Sequence, residues 1–422
     1  MCSFFSIRLR SSLLSAVATM FAGSLSAQGL TFDAALLAAA QRAPMLQARA
    51  ASVQGSMALQ ASAAELPDPK LSVGIDSLPI NGPDRGSLTR DNFTQRQISW
   101  TQDVPNKAKR AARTDAALAR TERDQALLQI EQLAVRREAG LAWLAAYFSD
   151  KRLQLFEQLM AQQGLLQDTA NAQFAAGKIA PADITAIKLE VLALGDRRDE
   201  LQRDKHHAHA MLRRWTGATP PAGLSGEAPR LTIDRAYLTA NLERSADVAA
   251  IAPARALASA DLREAEAAKS GDWSWSLRYG KRGPAYSDFV SAQLTFDLPL
   301  SVDKRQQPQI DAKQKELIRL DAERDDVLQR QRQELETQLS ELDELSSKLN
   351  RLTQQTVGFA AQKTALVLAA YESGRDKLSS VLEARKQQTE TGLRALELQA
   401  RQAALQWRLN TILPEQTPLN KP

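Results

Sequence analysis

Trp273-Ser274-Trp275-Ser276-Leu277-Arg278-Tyr279-Gly280 alternates apolar and polar residues along its whole length. A period of two puts the aromatic and aliphatic side chains on one face of an extended strand and Ser and Arg on the other. Three more stretches obey the same rule. Leu71, Val73 and Ile75 alternate with Ser72, Gly74 and Asp76; Ile98 and Trp100 alternate with Gln97, Ser99 and Thr101. Val290, Ala292, Leu294, Phe296 and Leu298 alternate with Ser291, Gln293, Thr295 and Asp297. Two environments fit this pattern equally: a membrane strand with lipid on one side and a wet lumen on the other, or an antiparallel sheet on a soluble core.

Strand number separates them. The four strands form two hairpins, joined by polar loops at Asn81 to Asn92 and Lys281 to Asp288. Four strands cannot close a barrel, and lipid does not tolerate an open edge. A membrane reading therefore requires the chain to pool strands with copies of itself. Two copies give about eight strands, which side chains fill, and three give about twelve, wide enough for a channel.

The hairpins belong to an internal repeat, the sequence signature of duplicated architecture. Thr31-Phe32-Asp33 recurs as Thr232-Ile233-Asp234, and Asp68 to Val73 recurs as Asp272 to Leu277. Trp100-Thr-Gln-Asp-Val-Pro105 recurs as Leu294-Thr-Phe-Asp-Leu-Pro299, and Phe174-Ala-Ala-Gly-Lys178 as Tyr371-Glu-Ser-Gly-Arg375. The offsets are 201, 204, 194 and 197 residues, so the order is kept and only loop lengths drift. Each copy reads as helix, β-hairpin, very long helix, turn, helix. The first opening helix is expected from Phe32 to Ala64. The long helices are expected from Pro105 to Phe174 and from Asp303 to Tyr371, the second with one early proline, Pro308. At about 1.5 Å per residue each reaches roughly 100 Å. The expected organisation is a leader at 1–27, a first repeat at 28–215, a Gly- and Pro-rich linker at 216–230, a second repeat at 231–412 and a flexible tail at 413–422.

Arg8 and Arg10 precede an apolar run from Leu13 to Ala22 and then Gly23, Ser24, Ser26 and Ala27, the layout of a secretory leader. Its loss takes the formal net charge from +5 to +3. An exported chain so nearly neutral is a poor candidate for nucleic acid. The only cysteine, Cys2, lies within the leader, so disulfides, thiolate metal sites and acyl anchoring of the mature chain are not expected. The mean hydropathy of −0.35 excludes a multi-span helical membrane protein. There is no nucleophile elbow, phosphate loop or HExxH, and no catalytic residue or cofactor is expected.

The repeat, the hairpins ending in Asp103-Val104-Pro105 and Asp297-Leu298-Pro299, and the aromatic-x-x-Gly turns resemble the TolC-like outer-membrane efflux ducts over nearly the whole mature chain. The run from Glu65 to Pro79 resembles the heavy-metal (cobalt-zinc-cadmium or copper) branch. The resemblance implies a mainly α chain with a membrane β-barrel. It implies a homotrimer whose twelve strands form one barrel in the outer membrane, above a long α-helical tunnel across the periplasm. The implied partners are outer-membrane lipid, a periplasmic adaptor and an inner-membrane pump of the resistance-nodulation-division type. The function implied is passive conduction of cargo, heavy-metal ions in the branch named. Drugs or secreted polypeptides are alternative cargoes, and an adaptor or scaffold is the alternative role, although adaptors carry one helical pair rather than two hairpin-and-rod units.

Site residues follow. Leu71, Val73, Trp100, Trp273, Trp275, Leu294 and Phe296 are expected to face lipid, with Trp273 and Trp275 in an interfacial girdle. Gly177 and Gly374 sit where a helix needs a cap with positive φ. By resemblance, Gly177, Lys178, Ile179, Gly374, Arg375, Asp376 and Lys377 form the tip turns that touch the adaptor. Also by resemblance, Asp183 and Glu383 line the tunnel entrance, although Ser380 departs from the family's acidic pattern. Asp183 suits a helix start as well: Pro181-Ala182-Asp183 reads as the opening of a helix, where an acid favours the dipole. His206, His207 and His209 are the only histidines. His206 and His209 share a helix face at i, i+3, but two ligands make a poor site and a polar face is the commoner reading, so they are not expected to bind metal.

Overall fold

The computed structural model describes residues 29–175, 177, 180–217 and 223–414. The leader, part of the linker, most of the tail, and the tip residues Lys178 and Ile179 lie outside the described residues.

The chain begins with α1 (Phe32–Arg42) and α2 (Pro44–Ser62). Thr31 Oγ accepts from the Ala34 N–H at 3.2 Å and starts α1. The single opening helix expected from Phe32 to Ala64 is two helices, because Pro44 has no N–H and drives Ala43 out of the helical region, to ψ 113°. The first hairpin follows as β1 (Lys70–Asp76) and β2 (Gln95–Val104), then α3 (Lys107–Ala175) and α4 (Pro181–Thr216). α3 is unbroken over 69 residues, as expected.

The second repeat opens differently from the first. Its opening helix is divided into α5 (Arg235–Ala240), a 3-10 turn (Leu242–Arg244), α6 (Ala246–Ala249) and α7 (Ile251–Ala267). Asn241 and Ser245 stand at the breaks. β3 (Trp273–Lys281), β4 (Phe289–Phe296) and α8 (Val302–Arg351) come next. The expected second rod is interrupted: a π-helical turn, Leu352–Thr356, separates α8 from α9 (Val357–Glu372), and α10 (Leu378–Asn410) ends the fold. The extra residue in this turn shifts the apolar repeat by only one position, a drift easily passed over in a rod this long.

The contacts divide the chain into two units, each drawing on both repeats. One comprises the described residues of 1–43, 132–239 and 334–422; the other is 44–131 and 240–333. The first unit is helical. Its core centres on Phe32, whose ring meets Trp143 and Trp407 edge-on at 5.4 and 4.9 Å. Both indoles donate to backbone, Trp143 to Leu30 O and Trp407 to Arg137 O, each at 2.9 Å. Gly140, a weak point in helix propensity, makes room for the Trp407 ring. Leu30 also forms a parallel bridge with Leu224, tying the start of the fold to the linker.

The second unit holds the sheet, with α2, α7 and the adjoining ends of α3 and α8. α7 buries Ala258, Ala260 and Ala267. It exchanges ion pairs with α3 (Arg113–Glu264, Arg263–Asp115) and with α8 (Arg255–Asp321, Lys313–Asp261). These are half-exposed pairs of the kind worth under about 1 kcal/mol each, so they orient the helices more than they hold them.

Candidate functional site

The sheet is a four-stranded antiparallel meander in the order β1-β2-β3-β4. The register sets Leu71, Trp100, Leu277 and Ala292 side by side in one row, and Val73, Ile98, Tyr279 and Val290 in the next. Trp275 faces Leu294, and Trp273 faces Phe296. Every expected lipid-facing residue therefore lies on a single continuous face. The opposite face carries Ser72, Ser99, Thr101, Ser274, Ser276, Arg278, Ser291 and Thr295.

Burial on this sheet is inverted. On β3, Trp273, Trp275, Leu277 and Tyr279 are all exposed, while Ser274, Ser276 and Arg278 are partly covered. Val73 is 78% exposed and Leu294 62%. A contiguous apolar face of this extent marks a surface meant for lipid or a partner. Aromatics concentrate toward the helical end of the face (Trp100, Trp273, Trp275, Phe296), with Arg96 and Lys281 at its far end. An apolar band with aromatics and polar groups at its margins is the layout of a membrane strand set.

Below the sheet a polar knot fixes where strands become helices. Asn106 N–H and Lys109 Nζ donate to the two carboxylate oxygens of Asp272 at 2.9 and 2.8 Å. Asn106 Nδ2 also donates to Ala267 O and Ser270 O. Partial burial alone would raise the Asp272 pKa. The hydrogen bonds from Lys109 and the Asn106 backbone, with the charges of Lys109 and Arg113, outweigh it and hold the carboxyl below its usual range.

In the helical unit, α9 ends in a Schellman motif. Gly374 has φ 75°, its N–H donates to Tyr371 O, and Arg375 N–H donates to Ala370 O. Gly177 has φ 69° and donates to Phe174 O, so the first turn repeats the left-handed cap. Arg375 Nε reaches Ser373 Oγ at 3.0 Å. Asp376 accepts from Ser380 Oγ and the Lys377 N–H, and these bonds lower its pKa. Asp376 thus stands one residue before the Lys377 cap of α10 and is tied to its first turn through Ser380. Lys377 is exposed beside it.

Asp183 accepts from the Ala180 N–H at 3.2 Å, the reach-back bond of a helix-start acid. It also lies near Tyr371, whose pKa is raised first by burial and then by the Asp183 charge. One turn on, Ile187 packs with Leu378, Val381 and Leu382. Glu383 follows Leu382 and is exposed. Both entrance candidates therefore sit beside one apolar cluster joining α4 and α10, Asp183 in a capping bond and Glu383 facing outward.

The three histidines do not converge on a shared set of partners. His209 lies 3.0 Å from Asp150 Oδ1, the carboxylate that the sequence reading missed because it stands 59 residues away on α3. Lys205 Nζ already bonds the same oxygen at 3.1 Å, and His206 and His207 are exposed. Among the described residues no group of three or more His, Cys, Asp or Glu could hold a metal ion, and no helix is long and apolar enough to cross a membrane.

No protein-family model and no curated protein matches the sequence. Solved structures do. A membrane protein from Pseudomonas aeruginosa superposes with a TM-score of 0.78 at 17% identity, covering 92% of each chain. The fold is shared with solved outer-membrane channels. CmeC, an outer-membrane channel of Campylobacter jejuni, gives 0.76 at 10% identity over 97% of this chain and 93% of its own. CusC, described in terms of folding and transmembrane channel formation, gives 0.77 at 14% identity over 90% and 91%. At these identities the likeness establishes the fold alone: mainly helical, and shared over nine-tenths of the chain.

Proposed function

We propose that the chain is the outer-membrane duct of a tripartite efflux system. The observation that carries this is the exposed apolar face of a four-stranded sheet with two unpaired edges, β1 and β4. Such a sheet is stable in lipid only when other strands cover both edges. The reading is supported by the fold shared with solved channels and by the leader-like N-terminus. Three copies supply twelve strands, with Ser, Thr and Gln lining a wet lumen and Leu71, Val73, Trp100, Trp273, Trp275, Leu294 and Phe296 against lipid. The helices continue into the periplasm. Their turns at Gly177 and Gly374, with Lys178, Ile179, Arg375, Asp376 and Lys377, meet a periplasmic adaptor that links the duct to a resistance-nodulation-division pump. Asp183 and Glu383 line its entrance. Cargo passes without chemistry.

The cargo we propose is heavy-metal ions, on the resemblance of the run from Glu65 to Pro79. A duct needs no metal site for this, since it only guides what the pump delivers. Purified protein reconstituted in planar bilayers should give discrete conductance steps. Absence of conductance from correctly folded protein would remove the duct. Deleting the gene should sensitise cells to copper, zinc, cobalt or cadmium; sensitivity to dyes and detergents alone would reassign the cargo.

A further inference from the structure

The offsets of the sequence repeat are also offsets of strand pairing. Leu71 lies opposite Trp100. The residues 204 and 194 positions further on, Trp275 and Leu294, lie opposite each other in the second hairpin. Val73 with Ile98 becomes Leu277 with Ala292 in the same way, and Ser72 with Ser99 becomes Ser276 with Gln293. The two hairpins are therefore one structure in one register. The junction between them, β2 with β3, pairs Trp100 with Leu277. Its counterpart under the same offsets joins β4 to β1 and pairs Leu294 with Val73. Within one chain these strands are the two opposite edges of the sheet, so the counterpart can form only between copies.

We propose that β4 of one copy pairs antiparallel with β1 of a second copy with Leu294 opposite Val73, Phe296 opposite Leu71, Thr295 opposite Ser72 and Asp297 opposite Lys70. This rests on the duct reading and adds the surface and register by which copies join. Side-chain chemistry agrees with it at each position. Leu, Phe and Ala of β4 meet Val, Leu and Ile of β1 on the apolar face, so the lipid-facing band continues across the seam. On the polar face Asp297 meets Lys70, whose ammonium already bonds Asp103 of its own chain at 2.7 Å. A slip of one residue turns every apolar side chain to the lumen. A slip of two residues in one direction sets Asp297 against Asp68, two like charges. A slip of two in the other sets Lys70 against Pro299, which has no N–H for the ladder and no charge.

Disulfide trapping reads the register directly, because Cys2 is the only native cysteine and lies in the expected leader. Within one chain β1 and β4 stand three strand spacings apart, roughly 14 Å, beyond the reach of a disulfide. Any cross-link is therefore between copies. The full chain, expressed in a Gram-negative host with Cys2→Ser, would carry Leu294→Cys with Val73→Cys, or Thr295→Cys with Ser72→Cys. Shifted controls would carry Leu294→Cys with Leu71→Cys or with Ile75→Cys. At least one matched pair should give covalent dimers and trimers on oxidation, several-fold more than either shifted pair. Membrane-embedded trimers that cross-link best through a shifted pair, or through none of the four, would overturn the register while leaving the duct in place. Soluble monomers free of cross-links in all variants would overturn both.

Discussion

At Gly140 a Cβ would stand 2.2 Å from Trp407 Nε1, closer than any relaxed contact. Gly140→Ala improves helix propensity by about 1 kcal/mol, yet it must push aside a ring that is buried and bonded to Arg137 O. Overpacking of this kind costs about 1–3 kcal/mol, so thermal unfolding of the variant in detergent should occur at lower temperature than that of the parent. Asp272 gives a pH-dependent effect. Its pKa is lower in the folded chain than in the unfolded one, so its contribution is present above the ordinary carboxylate range and is lost as pH falls through the folded value. Asp272→Asn should destabilise by about 1–2 kcal/mol at neutral pH, and unfolding midpoints of variant and parent should converge under acid conditions. Neither role was readable in advance: Gly140 and Trp407 are 267 positions apart, and Asp272 looked like a strand boundary. Asp183 was readable in part, because an acid three residues past a helix start has a local partner. Asp183→Asn with Glu383→Gln should weaken cation preference in single-channel recordings with trimer yield unchanged. Unchanged selectivity with a stability loss of about 0.3–1 kcal/mol would leave Asp183 as a helix-start acid alone.

Strands were the most legible elements. Their period of two needs no distant information, and the hairpins fall at 70–76 with 95–104 and 273–281 with 289–296, close to the expected spans. Helix continuity was harder to read. Pro44 was passed over inside an apolar run, α5 to α7 lack the uninterrupted pattern of the first repeat, and the π-helical turn at 352–356 has no composition of its own. The break at Pro44 is local and stood in the sequence; the π-helical turn depends on what packs beside the helix, which periodicity does not contain. The strands carry a prediction with opposite signs on their two faces. Trp275→Arg or Leu294→Arg places charge on the apolar face, at a cost of roughly 2–4 kcal/mol near a bilayer midplane. Outer-membrane assembly, read as the yield of heat-resistant trimers, should fall sharply. Ser276→Arg or Thr295→Arg changes only the polar face, the lumen side of the proposed duct, and should assemble like the parent. Equal yields from the two pairs would mean that the faces are assigned the wrong way round or that neither meets lipid.

Two copies of one hairpin-and-rod unit explain why a chain only 10–17% identical to solved structures such as CmeC keeps their fold over nine-tenths of its length. What must persist is the alternation, the two glycine caps and the spacing between them, and none of these demands particular apolar residues. The proposed assembly rests on the same features: a sheet with two free edges and an exposed apolar face in the single chain. Fractionation of cells expressing the full chain, followed by electrophoresis of the outer-membrane fraction with and without boiling, tests this most directly. The account predicts an outer-membrane species at three chain masses that collapses to the single-chain mass on boiling. A stable monomer in the soluble periplasmic fraction would contradict it.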